Sequence, residues 1–244
     1  MESIPFNSPV VASFVRAVQT GDADALRRLL DDNQGLASWR VQDPKGCSRT
    51  ALHVVTDWPG YFPNGPTLAK ILLAAGADPN APLMGGLHAE TPLHWAASSD
   101  DADVAAVLID GGADVEAQGG SIGGGAPLDN AVGYGCWNVA RLLVQRGARV
   151  ERLWHAAALG MLSRVEELIE GDRSLTQDDI TEAFWQACHG GQRRAAEYLL
   201  ARGADIHGIP DYTDRTALDA AGSSDTRRDN LVSWLKSKGA KSAK

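Results

Sequence analysis

The 244-residue chain has little cysteine: only Cys47, Cys136 and Cys188. No two of them form a Cys-x-x-Cys pair, and an odd set argues against a disulfide framework and for a reducing compartment. No apolar run approaches the roughly 20 residues that a membrane helix needs. The opening segment Met1–Phe6 has no basic stretch leading into an apolar one, so no secretory leader is visible. These absences predict a cytoplasmic protein without a membrane partner. Positive charge is also scarce: 23 Lys and Arg face 31 Asp and Glu, for a net charge of −8 and a pI near 5.2. Proteins that bind nucleic acid through its phosphates present a basic face. Here the basic clusters are Arg193–Arg194, Arg227–Arg228 and a short lysine-bearing tail, which read as solvated helix faces. Nucleic acid is therefore not expected as a partner.

Catalytic signatures are missing as well. There is no Gly-x-Ser-x-Gly elbow, P-loop or dinucleotide fingerprint. No His-x-x-x-His or Cys-x-x-Cys spacing offers metal ligands, so neither metal nor cofactor is expected. Gly119–Gly125 superficially suggests a phosphate cradle. It lacks the Gly-Lys-Ser/Thr ending and a preceding strand, and reads as a hairpin tip.

What is present is internal repetition. Apolar residues at 44% and charged ones at 22% place the chain in the globular range. Thr91-Pro92-Leu93-His94-Trp95-Ala96-Ala97 opens one unit, and Val104 to Leu108 followed by Gly111-Gly112-Ala113-Asp114 closes it. Thr50-Ala51-Leu52-His53 with Gly76-Ala77-Asp78 repeats the frame, as do Ala126-Pro127-Leu128-Asp129 with Gly147-Ala148, and Thr216-Ala217-Leu218-Asp219 with Gly239-Ala240. A further copy ends at Gly203-Ala204-Asp205. Threonine caps a first helix and proline tolerates its first position. Alanines let that helix lie close to its neighbours. A turn glycine such as Gly21, Gly135, Gly160 or Gly191 reverses the chain. A second helix carries apolar residues at helical spacing and stops at a glycine suited to the left-handed conformation.

The chain resembles the ankyrin repeat family. The resemblance implies an all-α repeat solenoid of about seven helix–turn–helix units with short β-hairpin fingers. The unit boundaries are approximately 6–46, 47–87, 88–122, 123–150, 151–178, 179–212 and 213–244, in a single domain over 1–244. The first and last units lack parts of the box, as caps of a repeat array should. Two departures stand out. A Pro/Gly-rich insertion, Trp58–Pro66, separates the helices of the second unit, and the finger expected near 148–153 is missing.

Seven tryptophans are present. Trp95 and Trp234 read as packing between units. Trp154 and Trp185 fall in the slot held elsewhere by His53, His94 or Asp129, where an exposed indole could anchor a partner. His53 and His94 themselves read as braces bonded to backbone. The resemblance places the two residues before each turn on the concave surface. That gives Asp57, Trp58, Ser98 (with Asp100 in the glycine position), Tyr134, Leu159 and His189, with Trp185 added from its slot, and His88 and Glu90 on the adjoining finger. Aromatics mixed with short polar groups suit recognition. The function implied is binding of an unidentified protein partner in this groove. The alternative is a small-molecule or catalytic site on the same face. Cys188 beside His189 invites a nucleophile reading, but adjacent helical residues diverge by about 100°, and Cys188 falls at a packing position. Oligomeric state is left open.

Overall fold

A computed structural model of the chain describes residues 3–223 and 228–243. Met1 and Glu2 of the opening segment, Arg227 of the second arginine pair and Lys244 of the tail lie outside the described residues. The chain folds as two compact units, Met1–Ala148 and Arg149–Lys244. The division falls at the segment where the repeat pattern lacks its finger.

The first unit holds four helix pairs. These are α1 (Pro9–Thr20) with α2 (Ala23–Asp32), α3 (Ala51–Val55) with α4 (Gly65–Ala74), α5 (Pro92–Ser98) with α6 (Ala102–Asp110), and α7 (Pro127–Gly133) with α8 (Trp137–Gln145). First helices stack on first helices and second on second, as α5 does on α7 and α6 on α8. Leucines at equivalent places, Leu52, Leu93 and Leu128 on the first helices and Leu72, Leu108 and Leu143 on the second, are buried between them. Ala96, Ala97, Ala105 and Ala140 are fully buried, so the close approach expected of small residues is realised. Asp100 takes the turn position with φ 58°, the left-handed region that Asp tolerates better than most residues. Its carboxylate then binds the next repeat: Oδ1 accepts from Val139 N–H at 2.9 Å and Oδ2 from Asn138 Nδ2 at 2.8 Å, at the start of α8.

The first finger is a true antiparallel hairpin of β2 (Arg40–Gln42) and β3 (Ser48–Thr50), with Val41 opposite Arg49. A strand that the repeat pattern does not announce, β1 (Ser3–Pro5), pairs parallel to β2. A single bridge from Ser48 to Met84 extends the row. The later fingers form no strand among the described residues. Pro79 and Pro82 have no amide to give to a ladder. The glycine-rich tip closes on two bonds, Gly119 N–H to Gly124 O at 2.9 Å and Gly120 N–H to Gly125 O at 2.8 Å.

The second unit holds α9 (Leu153–Ala158) with α10 (Leu162–Gly171), α11 (Gln177–His189) with α12 (Arg193–Ala201), and α13 (Ala217–Ala221) with α14 (Asp229–Ser237). At 13 residues, α11 is nearly twice the 7 of α5 or α7, because it starts early from the Thr176 cap. Gly190 lies so close to the Ala158 carbonyl that a Cβ there would overlap it, and this is how α11 and α9 come into backbone contact.

Candidate functional site

In the first unit the box histidines brace one repeat to the next. His53 Nδ1 lies 2.8 Å from Thr50 Oγ1 and accepts the Thr50 N–H at 3.2 Å, while Nε2 lies 3.0 Å from the Glu90 carbonyl. A carbonyl only accepts, so Nε2 carries the proton and Nδ1 is bare. His94 repeats the arrangement on Thr91 and the Gly125 carbonyl. Burial pushes the His53 pKa down to about 4, because protonation would put a charge in the core and a second donor against Thr50. The His94 pKa is lowered for the same principal reason.

That scaffold fixes a cleft of about 430 Å³ lined by Thr56, Asp57, Trp58, Glu90, Trp95, Ser98, Ser99, Ser121 and Tyr134. Asp57 and Trp58 follow α3, Ser98 and Ser99 close α5, and Tyr134 caps α7. Trp58 is 82% exposed and Tyr134 52%, so the mouth is aromatic and open. Asp57 is paired with Arg49 at 2.5 Å. Beneath the mouth is a polar network. Asn130, fully buried, donates to Glu90 Oε1 at 2.7 Å and to Ser98 Oγ at 3.1 Å. Glu90 Oε1 also accepts from Ser121 N–H at 3.0 Å, and Oε2 from the Trp95 indole at 3.1 Å. Ser121 Oγ and Tyr134 Oη lie 3.2 Å apart. Burial raises the Glu90 pKa, but the hydrogen bonds from Asn130 and Ser121 outweigh it, and the carboxyl sits below its ordinary value. Trp95 also meets His53 edge to face at 4.9 Å.

Four of the residues expected at a partner surface, Asp57, Trp58, Ser98 and Tyr134, thus line one cleft. His88 is exposed on the finger and does not line it. Leu159, Trp185 and His189 belong to the second unit. Leu159 ends α9, and His189 is half-buried with its ring 5.1 Å from that of Trp185. Trp185 is 5% exposed, and its indole donates to the Arg215 carbonyl at 2.8 Å. Arg215 immediately precedes the Thr216 cap, as Glu90 precedes Thr91 and Gly125 precedes Ala126. Trp185 therefore does the work of His53 and His94, and it is a brace rather than the exposed anchor expected of it. The slot itself carried that signal: Trp185 stands six residues before turn Gly191, as Asp129 does before Gly135.

The second unit has a cleft of its own, about 670 Å³, that sequence reasoning missed. It is rimmed by Asp178, Asp179, Glu182, Asp205 and Asp211, with Tyr212 beside them. Burial, with Asp179 and Asp211 nearby, raises the Glu182 pKa, and burial with Glu182 pushes the Tyr212 phenol well up. Cys188 is fully buried, and burial pushes its thiol far above the ordinary range, which removes it as a nucleophile. Among the described residues no cluster of His, Cys, Asp or Glu is arranged to hold a metal ion. No described helix is long and apolar enough to cross a membrane.

Stacked helix pairs opened by a Thr-x-Leu-His box and joined by donors reaching to the next cap define an ankyrin repeat protein. The family pattern for ankyrin repeats (3 copies) matches residues 14–118, 61–152 and 153–243, and the chain belongs to that family. It is similar to the Ankyrin repeat and KH domain-containing protein CBG24701 of Caenorhabditis briggsae, 30% identical over 163 residues, which are 63% of this chain and 6% of that protein. It is also similar to the Ankyrin repeat and KH domain-containing protein mask-1 of Caenorhabditis elegans, 27% identical over 187 residues, 72% of this chain and 7% of that one. The chain thus spans a small fraction of the curated relatives it matches. Among solved structures, the human ASB11 ankyrin repeat domain is similar in fold, with a TM-score of 0.53 at 19% identity, covering 94% of this chain and 98% of that one. So is the ankyrin repeat domain of Bcl-3, with a TM-score of 0.51 at 23% identity, covering 92% and 97%. Ankyrin repeats are generally protein–protein interaction modules.

Proposed function

We propose that the chain binds a partner protein in the aromatic-mouthed cleft of Met1–Ala148. The observation that carries this reading is the exposure of Trp58 and Tyr134, at 82% and 52%, over a floor whose polar groups are held by bonds among themselves. Large rigid aromatics over a fixed polar floor supply contact area at little entropic cost. The three thiols are all unpaired, which supports a reducing, cytoplasmic setting. His88 borders the same finger face and is included as a rim contact. Leu159 and His189 are candidate contacts on the second unit.

The test is capture from a cell lysate by immobilised wild type and by a Trp58→Ala/Tyr134→Ala variant of matched helicity in circular dichroism. Proteins retained by the wild type and lost from the variant support the reading. Equal retention by both overturns it. A metabolite that co-purifies with the wild type alone, with no protein retained, replaces it with a small-ligand site.

A further inference from the structure

The Glu90 carboxylate is the unusual group in this cleft. It is half-buried, and its hydrogen bonds come from neutral donors: Ser121 through its N–H and hydroxyl, Asn130 Nδ2 and the Trp95 indole. Among the described residues no lysine or arginine pairs with it. Arg49 does not line the cleft and is engaged by Asp57. The hydrogen bonds hold Glu90 in its charged form despite burial. The cleft therefore contains an uncompensated negative charge, with the indole of Trp95 against it and the rings of Trp58 and Tyr134 at its mouth. Aromatic faces beside a carboxylate favour a cation, attracted by both the ring quadrupoles and the charge.

The free valence of the carboxylate narrows the choice of cation. An ionised carboxylate offers about four lone-pair sites. Three are used, two on Oε1 and one on Oε2, and the Ser121 hydroxyl that also lies near can turn instead to Tyr134 Oη at 3.2 Å. One site remains, enough for a single N–H donor. A guanidinium binds carboxylates best through two parallel bonds, whereas an ammonium acts as a compact point charge that needs one. A lysine's four-carbon stem can lie along the Trp58 and Tyr134 rings while its head reaches Glu90. The cleft, at about 430 Å³, exceeds what one such side chain fills and is open at its mouth, which leaves room for the backbone that carries it.

Resting on the protein-binding reading above, we infer that Glu90, Trp95, Trp58 and Tyr134 form a pocket for a lysine side chain of the partner protein. The test is an NMR titration of the ¹⁵N-labelled full chain, following the indole N–H signals of Trp58 and Trp95. The probes are the capped peptide acetyl-Gly-Gly-Lys-Gly-Gly-amide, its arginine and norleucine counterparts, and free n-butylammonium. We expect saturable shifts with the lysine peptide, clearly weaker binding of the arginine peptide, and no saturable shift with norleucine. Glu90→Gln should weaken the lysine peptide about tenfold or more, since it removes a charge-assisted bond. Trp58→Ala alters an exposed side chain and serves as the second variant should Glu90→Gln disturb the fold. It should also weaken the peptide severalfold. Equal binding of lysine and norleucine peptides, or an arginine peptide that binds as well or better, overturns the inference. So does binding of butylammonium without binding of the lysine peptide, which would make the site one for a free small cation. If the lysine peptide fails while capture is still lost in Trp58→Ala/Tyr134→Ala, the pocket falls and the protein-binding reading stands. If capture is unchanged by that variant, the reading itself falls.

Discussion

The two units join their repeats with the same bond made by different chemistry. In Met1–Ala148 the donor to the next cap is an imidazole, from His53 and His94; in Arg149–Lys244 it is the indole of Trp185. Imidazole titrates near neutrality and indole does not. Their clefts differ in the same spirit. The first is framed by aromatics around Glu90 and the ion-paired Asp57, and the second is rimmed by five carboxylates, among which Asp179 and Asp211 oppose the ionisation of Glu182. A repeat can thus conserve its geometry while changing how it responds to acid and which charges it presents.

The contrast between the units is open to experiment, and the largest effect should come from backbone contact. Gly190→Val forces a side chain into the Ala158 carbonyl, so α11 and α9 must separate. The second unit should lose about 3 kcal/mol in urea denaturation followed by helicity. An unchanged midpoint would mean that the two helices are not held at that distance.

The histidine brace should make the first unit sensitive to mild acid. The folded pKa of His53 is depressed to about 4 from an ordinary 6.5, so the unfolded chain binds the proton more readily. The associated stability is fully present above pH 6.5 and is lost as pH falls toward 4, to a total of about 3 kcal/mol. His53→Gln should flatten that part of the stability profile. Asp219 of the second unit sits below its ordinary value: burial acts to raise it, and bonds from the Ala243 amide, Thr216 and Ser242 outweigh that. Its contribution is lost only as pH falls below the ordinary carboxylate range, so hydrogen exchange at pH 5 should show the first unit loosening before the second.

Replacing the indole donor is a smaller perturbation. Trp185→Phe keeps an aromatic ring but leaves the Arg215 carbonyl without its donor, at a cost of about 1–2 kcal/mol by chemical denaturation. If the residue were an exposed partner anchor instead, stability would not move.

The smallest effect concerns the acidic cleft. Glu182 has its pKa raised by burial and by Asp179 and Asp211, so its ionisation works against folding above that pKa. Glu182→Gln should raise the melting temperature by roughly 1–3 °C at pH 7. The gain should vanish at pH 4, where the carboxyl is protonated in both states.

Most helix pairs among the described residues were legible because they carry their own punctuation, a box such as Thr91–His94 at the start and a left-handed residue such as Gly21, Asp100, Gly135, Gly160 or Gly191 at the reversal. Even Asp100 could be placed in a glycine slot by counting from His94. Trp185 misled because a tryptophan in a polar slot looks like an anchor. The additional N-terminal length of α11 and the carbonyl waiting at Arg215 appear only in three dimensions. Glu90 was recognised as bordering the groove, but its donors lie 5, 31 and 40 residues away, which no local pattern connects. The acidic cleft is assembled from carboxylates scattered over 178–211, each unremarked in its own helix or turn. The hairpin fingers were expected from the family resemblance, and among the described residues only the first builds a ladder.

Asp100 bears on how such arrays can be rearranged by recombination. Its carbonyl receives the hydroxyl of Tyr61 from the insertion two helices earlier, at 2.5 Å, while its carboxylate holds the first turn of α8. A glycine at that turn would keep the carbonyl for Tyr61 but lose the hold on α8. With aspartate there, the repeats bearing Asp100 and Asn138 form a matched pair, and a chimera that swaps one must import the other too.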